Sequence, residues 1–301
     1  MLPHRAYHLM FRAKTSRSLV GAAWLLAGGA CVVAMQTIAR HVAQDMPIIQ
    51  MVFFRFLFGM MFMAPWLVHV GISSVRTRMW PHYFIRAIGT LIILTCVYTA
   101  LSEIPVADVA ALQFTAPIFI TIGAGIFLKE RIGLGRWVAV IVGFLGTLLI
   151  LRPGISAVSP VALLVLVGAF FNAMVMLLTK VLSRTETAGT IVFYQTLLVT
   201  IFAFPFTLWV WKTPSCEALV WMAAIGAVAT IGQLCIARAL TVADASAIQP
   251  VNFTRLLFAA LFGYLAFGEV PDSWIWLGGA IVFAATLYAV SERRRDEPPV
   301  G

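Results

Sequence analysis

Acidic residues are scarce in this chain. Its 301 residues hold 12 Asp and Glu against 21 Lys and Arg, and only 11% are charged. A water-soluble domain carries about 25% charged residues, so a water-facing surface over the whole molecule is excluded. Cysteine is equally thin. Cys31, Cys96, Cys216 and Cys235 form no CxxC pair, and all but Cys216 lie inside apolar runs. That is the pattern of packed free thiols, with no metal-ligand spacing. GxSxG, HExxH and the phosphate-binding GxxxxGK[S/T] are all missing. With them go the usual signatures of a membrane enzyme and any intrinsic ATP drive.

Apolar surface is what the chain has. It is 61% hydrophobic with a mean hydropathy of +0.97, which also excludes a disordered chain. The net charge of +9 would point to nucleic acid in a soluble protein. Here the basic residues fall between apolar runs, so they set topology and no nucleic-acid partner is expected. Ten segments of about 20 residues are long enough to cross a bilayer: 18–38, 47–70, 80–101, 106–128, 134–151, 159–181, 189–211, 218–240, 245–267 and 273–291. In lipid a span must satisfy its own backbone, so these are helices. The run Val138–Ile150 lacks the alternation of a barrel strand.

The basic residues give the orientation. With a cytoplasmic N-terminus, fifteen of the 21 Lys and Arg fall on the cytoplasmic side. Arg40, Arg152 and Lys212 fall outside, and Arg55, Arg86 and Arg255 fall within spans. The bias predicts both termini in the cytoplasm. The basic segment 1–17 precedes an apolar run that is read as an uncleaved first span, not a signal peptide. Residues 1–17 and 292–301 are expected to be mobile cytoplasmic tails.

The chain also repeats itself at an offset of 139 or 140 residues. Arg40 meets Lys180. Val52-Phe53-Phe54-Arg55 meets Val192-Phe193-Tyr194-Gln195. Cys96, Ala100 and Leu101 meet Cys235, Ala239 and Leu240. Gln113 meets Asn252, Glu130 meets Glu269 and Trp137 meets Trp276. The copies are 18–151 and 159–291, each of five spans. Five is odd, so the second copy enters the bilayer from the opposite side. Inverted repeats of this kind let one solute site open to either face in turn, which is the architecture of secondary transporters.

The residues now carry a resemblance. The first copy reads Ala107-Asp108…Pro117…Leu128-Lys129-Glu130. The second reads Ala243-Asp244…Gln249-Pro250…Phe267-Gly268-Glu269. With ten short spans in two halves, this pattern resembles the drug/metabolite transporter superfamily in its EamA-type branch, over residues 18–291. Leu256 stands where the first copy has Pro117. The resemblance implies an all-α integral membrane protein of a bacterial inner membrane, without a cofactor, whose partners are a small solute and lipid, and it leaves room for a homodimer. It implies a cavity lined by spans 1, 3, 4, 6, 8 and 9. Members export amino acids, metallophores or drugs, or take up riboflavin or S-adenosylmethionine.

Ionisable groups inside spans are expensive and are candidates for function. Arg255, near mid-depth of the ninth span, could hold a carboxylate or phosphate. It groups with Gln113 and Asn252, which the repeat places on equivalent helices, and with Gln249. Arg55 has Gln195 as its mate and reads more readily as a structural polar contact. Arg86 is close enough to the helix end to snorkel. Asn172, Gln233 and Tyr98 are further solute-contact candidates, and Trp24 could stack on a planar ring, although packing is the commoner use of such aromatics. No acid or histidine falls at mid-depth. Coupling or gating therefore falls to Glu103, Asp108 or Asp244 at a cavity mouth, and uncoupled or exchange transport is at least as well supported. Glu130 and Glu269 are expected to cap helices or pair with a basic residue. The expected function is export of a small amphipathic anionic or zwitterionic metabolite. Uptake of a vitamin or nucleoside-like compound such as riboflavin or S-adenosylmethionine is the alternative, ahead of a membrane enzyme or a receptor.

Overall fold

Apolar segments that satisfy their own backbones have only lipid and one another to pack against, and the computed structural model is accordingly a helical bundle. It describes residues 4–43, 45–71, 75–113, 160–242 and 254–296, with scattered positions between 115 and 149. The described helices are α1 (His4–Val42), α2 (Ile48–Val70), α3 (Trp80–Glu103), α4 (Val106–Gln113), α5 (Pro160–Leu182), α6 (Ala188–Trp209), α7 (Cys216–Val242), α8 (Thr254–Phe267) and α9 (Ser273–Asp296). Six of them, α1 to α3 and α5 to α7, are long and apolar enough to cross a membrane. Apolar helices of shorter length lie at Thr254–Phe267 and Ser273–Ala285. Of the expected span 134–151 only 138, 141–146 and 149 are described, each as helix.

The first helix starts well before the expected span. No Pro or Gly falls between His4 and Val20, so nothing stops the helix until the link after Val42. At the other end α9 likewise runs on through the basic residues to Asp296.

Contacts between links show which helix ends lie together. Gln50 Nε2 donates to the Lys212 carbonyl at 2.7 Å, and the Lys212 backbone N–H donates to Gln50 Oε1 at 3.1 Å. Arg40 pairs with Glu269 at 2.6 Å and donates to the Ile104 carbonyl. The links after α1, α3, α6 and α8 therefore share one end of the bundle, the Arg40 end. At the opposite end Thr77 Oγ1 donates to Glu186 Oε1 and Tyr194 Oη to the Val75 carbonyl, each at 2.6 Å. The links after α2 and α5 share this Thr77 end.

Those ends fix direction. α1 ends where α5 begins its crossing, and α2 begins where α6 ends. α3 and α7 run oppositely, and so do α4 and α8. Each of α5 to α8 is antiparallel to its mate among α1 to α4. The packing repeats in the same sense. α1 packs on α7 as α5 packs on α3, α2 on α7 as α6 on α3, and α1 on α8 as α5 on α4. The pairs α2–α6 and α4–α8 map onto themselves. An axis that reverses helix direction lies in the plane of the membrane, so the copies form an inverted repeat. Prolines mark it too: Pro65 within α2 and Pro205 within α6 are 140 positions apart.

Candidate functional site

Residues equivalent by a twofold operation meet where the axis passes between them. Arg55 on α2 and Gln195 on α6 are such mates, each only 5% exposed. With Gly59, Thr196, Thr230 and Gln233 they line one narrow, water-sized pocket between α2, α6 and α7. Arg55 Nη1 donates to Tyr98 Oη on α3 at 3.4 Å, and its guanidinium lies 4.9 Å from the Phe56 ring centroid. Its Nε has no partner. Gln195 Nε2 donates to Thr90 Oγ1 at 3.2 Å, while its Oε1 has no partner. The hydroxyls of Thr196 and Thr230 are spent on the carbonyls of Val192 and Gly226, each at 2.7 Å.

The arrangement has a chemical consequence. An arginine at the centre of a span costs about 2.5–3.5 kcal/mol on an insertion scale. A buried polar atom left unmet costs about 1–3 kcal/mol more. Among the buried atoms lining it, Arg55 Nε and Gln195 Oε1, from equivalent positions of the two halves, have no partner, and the half-buried Gln233 amide lies beside them. The pocket suits a group that offers an acceptor beside a donor: a hydroxyl, an amide or imide edge, or water. Arg55, Gln233 and Tyr98 are candidates from the sequence alone, whereas Gln195 enters there only as the repeat mate of Arg55. The repeat offset carried the signal, because the mate of a buried polar residue on a self-paired helix has to face it. The expected cavity of spans 1, 3, 4, 6, 8 and 9 falls partly outside the described residues, and this pocket is a separate feature. It lies against spans 2, 7 and 8, where the buried polar residues of α2 and α6 converge.

The other intramembrane arginines are used differently. Arg86 does not snorkel. It is 4% exposed, and it bridges helices by donating from Nε to Thr179 Oγ1 at 2.9 Å and from Nη1 to the Ile191 carbonyl at 3.4 Å. Its acceptors stand on α5 and α6. Arg255 lies in the first turn of α8. Gly29 of α1 makes room for its stem, and its Nε has no partner. Gln113, the last residue of α4, has a buried Nε2 without a partner.

The remaining candidates are dispersed. Trp24 lies under the Arg238 guanidinium at 5.3 Å, in a small cluster with Leu25 and Ala239 apart from the Arg55 pocket. Asn172 is half-buried on α5, Glu103 is exposed at the end of α3, and Asp108 sits in the first turn of α4. Asn252, Gln249 and Asp244 lie outside the described residues, and with them the expected meeting of Gln113 and Asn252. Among the described residues no group of His, Cys, Asp or Glu is placed to hold a metal ion.

Glu269 has the basic partner expected of it. It follows Gly268, whose φ of +68° turns the chain off the end of α8. The Gly268 N–H donates to the Tyr264 carbonyl at 2.9 Å and the Glu269 N–H to that of Gly263 at 3.3 Å. The turn aims the carboxylate at Arg40. Its Oε2 also accepts from the Val106 backbone N–H at 3.4 Å, at the start of α4, where the helix dipole favours an anion. The Arg40 guanidinium lies 5.1 Å from the Phe267 ring centroid.

Comparison with known proteins agrees with this architecture. The sequence model of the EamA-like transporter family matches residues 19–152 and again 159–291. A riboflavin transporter of Vibrio cholerae is 33% identical over 90% of this chain and 92% of its own length. An S-adenosylmethionine uptake transporter of Rickettsia bellii is 25% identical over 92% of this chain and 95% of its own. A pseudopaline exporter of Pseudomonas aeruginosa is 27% identical over 84% and 89%. A crystal structure with a TM-score of 0.66 and 15% identity covers 94% of this chain and 100% of that one, which supports the fold.

Proposed function

We propose that this chain, which belongs to the EamA-like transporter family and is a multi-pass membrane protein, takes up a compact metabolite built from a planar nitrogen heterocycle and a hydroxylated chain, riboflavin first. The observation that carries the reading is the pocket shared by Arg55 and Gln195. Its unpartnered Arg55 Nε and Gln195 Oε1, beside the Gln233 amide, offer donors and an acceptor to a ribityl hydroxyl or the imide edge of a flavin ring. The riboflavin transporter that is 33% identical over nearly the whole chain supports the same choice.

A zwitterionic solute such as S-adenosylmethionine is the second reading. It is favoured by the unpartnered Nε of Arg255, which suits a carboxylate, and by the uptake transporter that is 25% identical. Export, the direction first expected, is supported by the 27% identical exporter and weakened by the uptake relative. In this reading the protein sits in the inner membrane with both termini in the cytoplasm.

The purified chain in liposomes tests the proposal. Labelled riboflavin is expected to enter at a saturable rate and to be displaced by excess unlabelled riboflavin more strongly than by S-adenosylmethionine. A host lacking riboflavin synthesis and its own importer is expected to grow on low external vitamin when it carries this gene. Absence of riboflavin flux from liposomes that move S-adenosylmethionine would transfer the assignment to the second solute.

A further inference from the structure

We propose that the Arg40–Glu269 pair is a gate: it closes one mouth of the passage between the repeats and parts in every transport cycle. The inference rests on the transport reading above. Arg40 belongs to the first repeat and Glu269 to the second, and their side chains meet at 2.6 Å. Glu269 is held by the first repeat at two points, the Arg40 guanidinium and the backbone N–H that opens α4. Arg40 in turn donates to the carbonyl that closes α3. One carboxylate from the second half thus pins the ends of α1, α3 and α4 together.

The rest of the bundle shows why this contact is the one that parts. On the α2–α6 side the repeats are tied at both ends at once. Gln50 and Lys212 exchange two hydrogen bonds at the Arg40 end, and Tyr194–Val75 and Thr77–Glu186 hold the Thr77 end. Opening either mouth while keeping those ties leaves movement on the opposite side, where α1 and α4 face α8. The ion pair bridges that side. Both side chains keep 18% of their surface exposed, so the pair sits at the edge of the packed bundle and is not sealed inside it. A purely apolar seal there would expose greasy surface at each opening.

Cross-linking tests this on the full chain. In a background with the four native cysteines replaced, Arg40→Cys and Glu269→Cys are introduced together and joined by a short, reducible bifunctional thiol reagent in liposomes. Flux of labelled riboflavin is expected to fall tenfold or more on joining and to return on reduction. A monofunctional reagent is expected to leave most of the flux. Joined carriers that move solute as fast as unjoined ones would show that the pair stays closed throughout the cycle and overturn the gate. So would failure of the reagent to join two thiols that each label singly. Charge reversal provides a second reading in the native background: R40E is expected to lose at least five-fold in flux and R40E/E269R to regain most of it. An R40E carrier as fast as the parent also overturns the proposal. If the unmodified parent moves no solute, the transport reading fails, and not the gate alone.

Discussion

Gly28 of α1 and Gly168 of α5, 140 positions apart, make the same contact in the two halves. Gly28 packs on Gly232 and Ile236 of α7, and Gly168 packs on Ile93 and Val97 of α3, positions that are themselves 139 apart. Small residues here bring helix backbones close, which is how helices associate without a hydrophobic driving force. The two glycines nevertheless have unequal room. A Cβ on Gly28 would come within 2.7 Å of Ile236 Cγ1 and 3.1 Å of the Gly232 carbonyl oxygen. On Gly168 its nearest neighbour would be Cys96 Cβ at 3.6 Å. Gly28→Ala is therefore expected to destabilise the detergent-solubilised protein by about 1–3 kcal/mol through overpacking. Gly168→Ala should lie within about 0.5 kcal/mol of the parent or above it, because helix propensity improves. Unfolding midpoints of the two variants measure this, and equal losses would contradict the geometry.

Arg55 and Gln195 offer a test in which binding and stability move in opposite directions. Gln195→Glu places a carboxylate in the same pocket as an unpaired guanidinium. An internal ion pair would then satisfy Arg55, and removal of an uncompensated buried charge stabilises. The expected outcome is a higher unfolding midpoint together with a KM for riboflavin raised at least tenfold, about 1.4 kcal/mol of lost affinity. Arg55→Gln removes the buried charge outright and should likewise raise both KM and the unfolding midpoint. Initial rates and melting of the same preparations decide it. A Gln195→Glu carrier with the parent KM would remove this pocket from the solute path.

What was legible in the sequence follows from what lipid constrains. Span length and backbone satisfaction are dictated by the bilayer, so α2, α3 and α5 to α7 fall where the apolar runs place them. The internal offset was legible because Val52–Arg55 and Val192–Gln195 share shape as well as position. Rotation of each helix about its own axis was not. A helix flanked by lipid on one side and apolar neighbours on the other is apolar all round, so no stripe tells which way a polar residue points. Arg86 illustrates the loss. Its depth allowed an escape to the interface, and only the position of Thr179 and the Ile191 carbonyl shows that it turns inward. Nor does the sequence show that the Trp24 ring lies beside the Arg238 guanidinium.

The driving force is open to a direct test. The acids Glu103, Asp108 and Glu269 lie at helix ends, and the described spans carry no carboxylate at mid-depth. A proton relay through the membrane interior needs such groups. Uptake is therefore expected to change by less than twofold when an ionophore collapses an imposed pH gradient, and to run fully as exchange with unlabelled solute inside the liposome. A strong dependence on the gradient would direct attention to Glu103, Asp108 and Asp244, to be replaced singly by amides.

Gly268 separates backbone strain from side-chain loss at the proposed gate. Its φ of +68° is in the left-handed region, and nothing lies within 4 Å of where a Cβ would stand. Gly268→Ala therefore meets no clash and pays only the left-handed penalty, about 1–2 kcal/mol for a residue with a Cβ. Relief of that strain unwinds the turn that aims Glu269, so the cost falls on the Arg40 contact and not on the core. Gly268→Asn, which tolerates the left-handed region, should restore most of the loss. The expected series for solute flux is parent, then Asn close behind, then Ala several-fold lower. Protection of an introduced Glu269→Cys thiol from an impermeant maleimide should fall in the same order. If Ala and Asn behave alike, the glycine serves a purpose other than its backbone angle, and the aim of Glu269 does not depend on this turn.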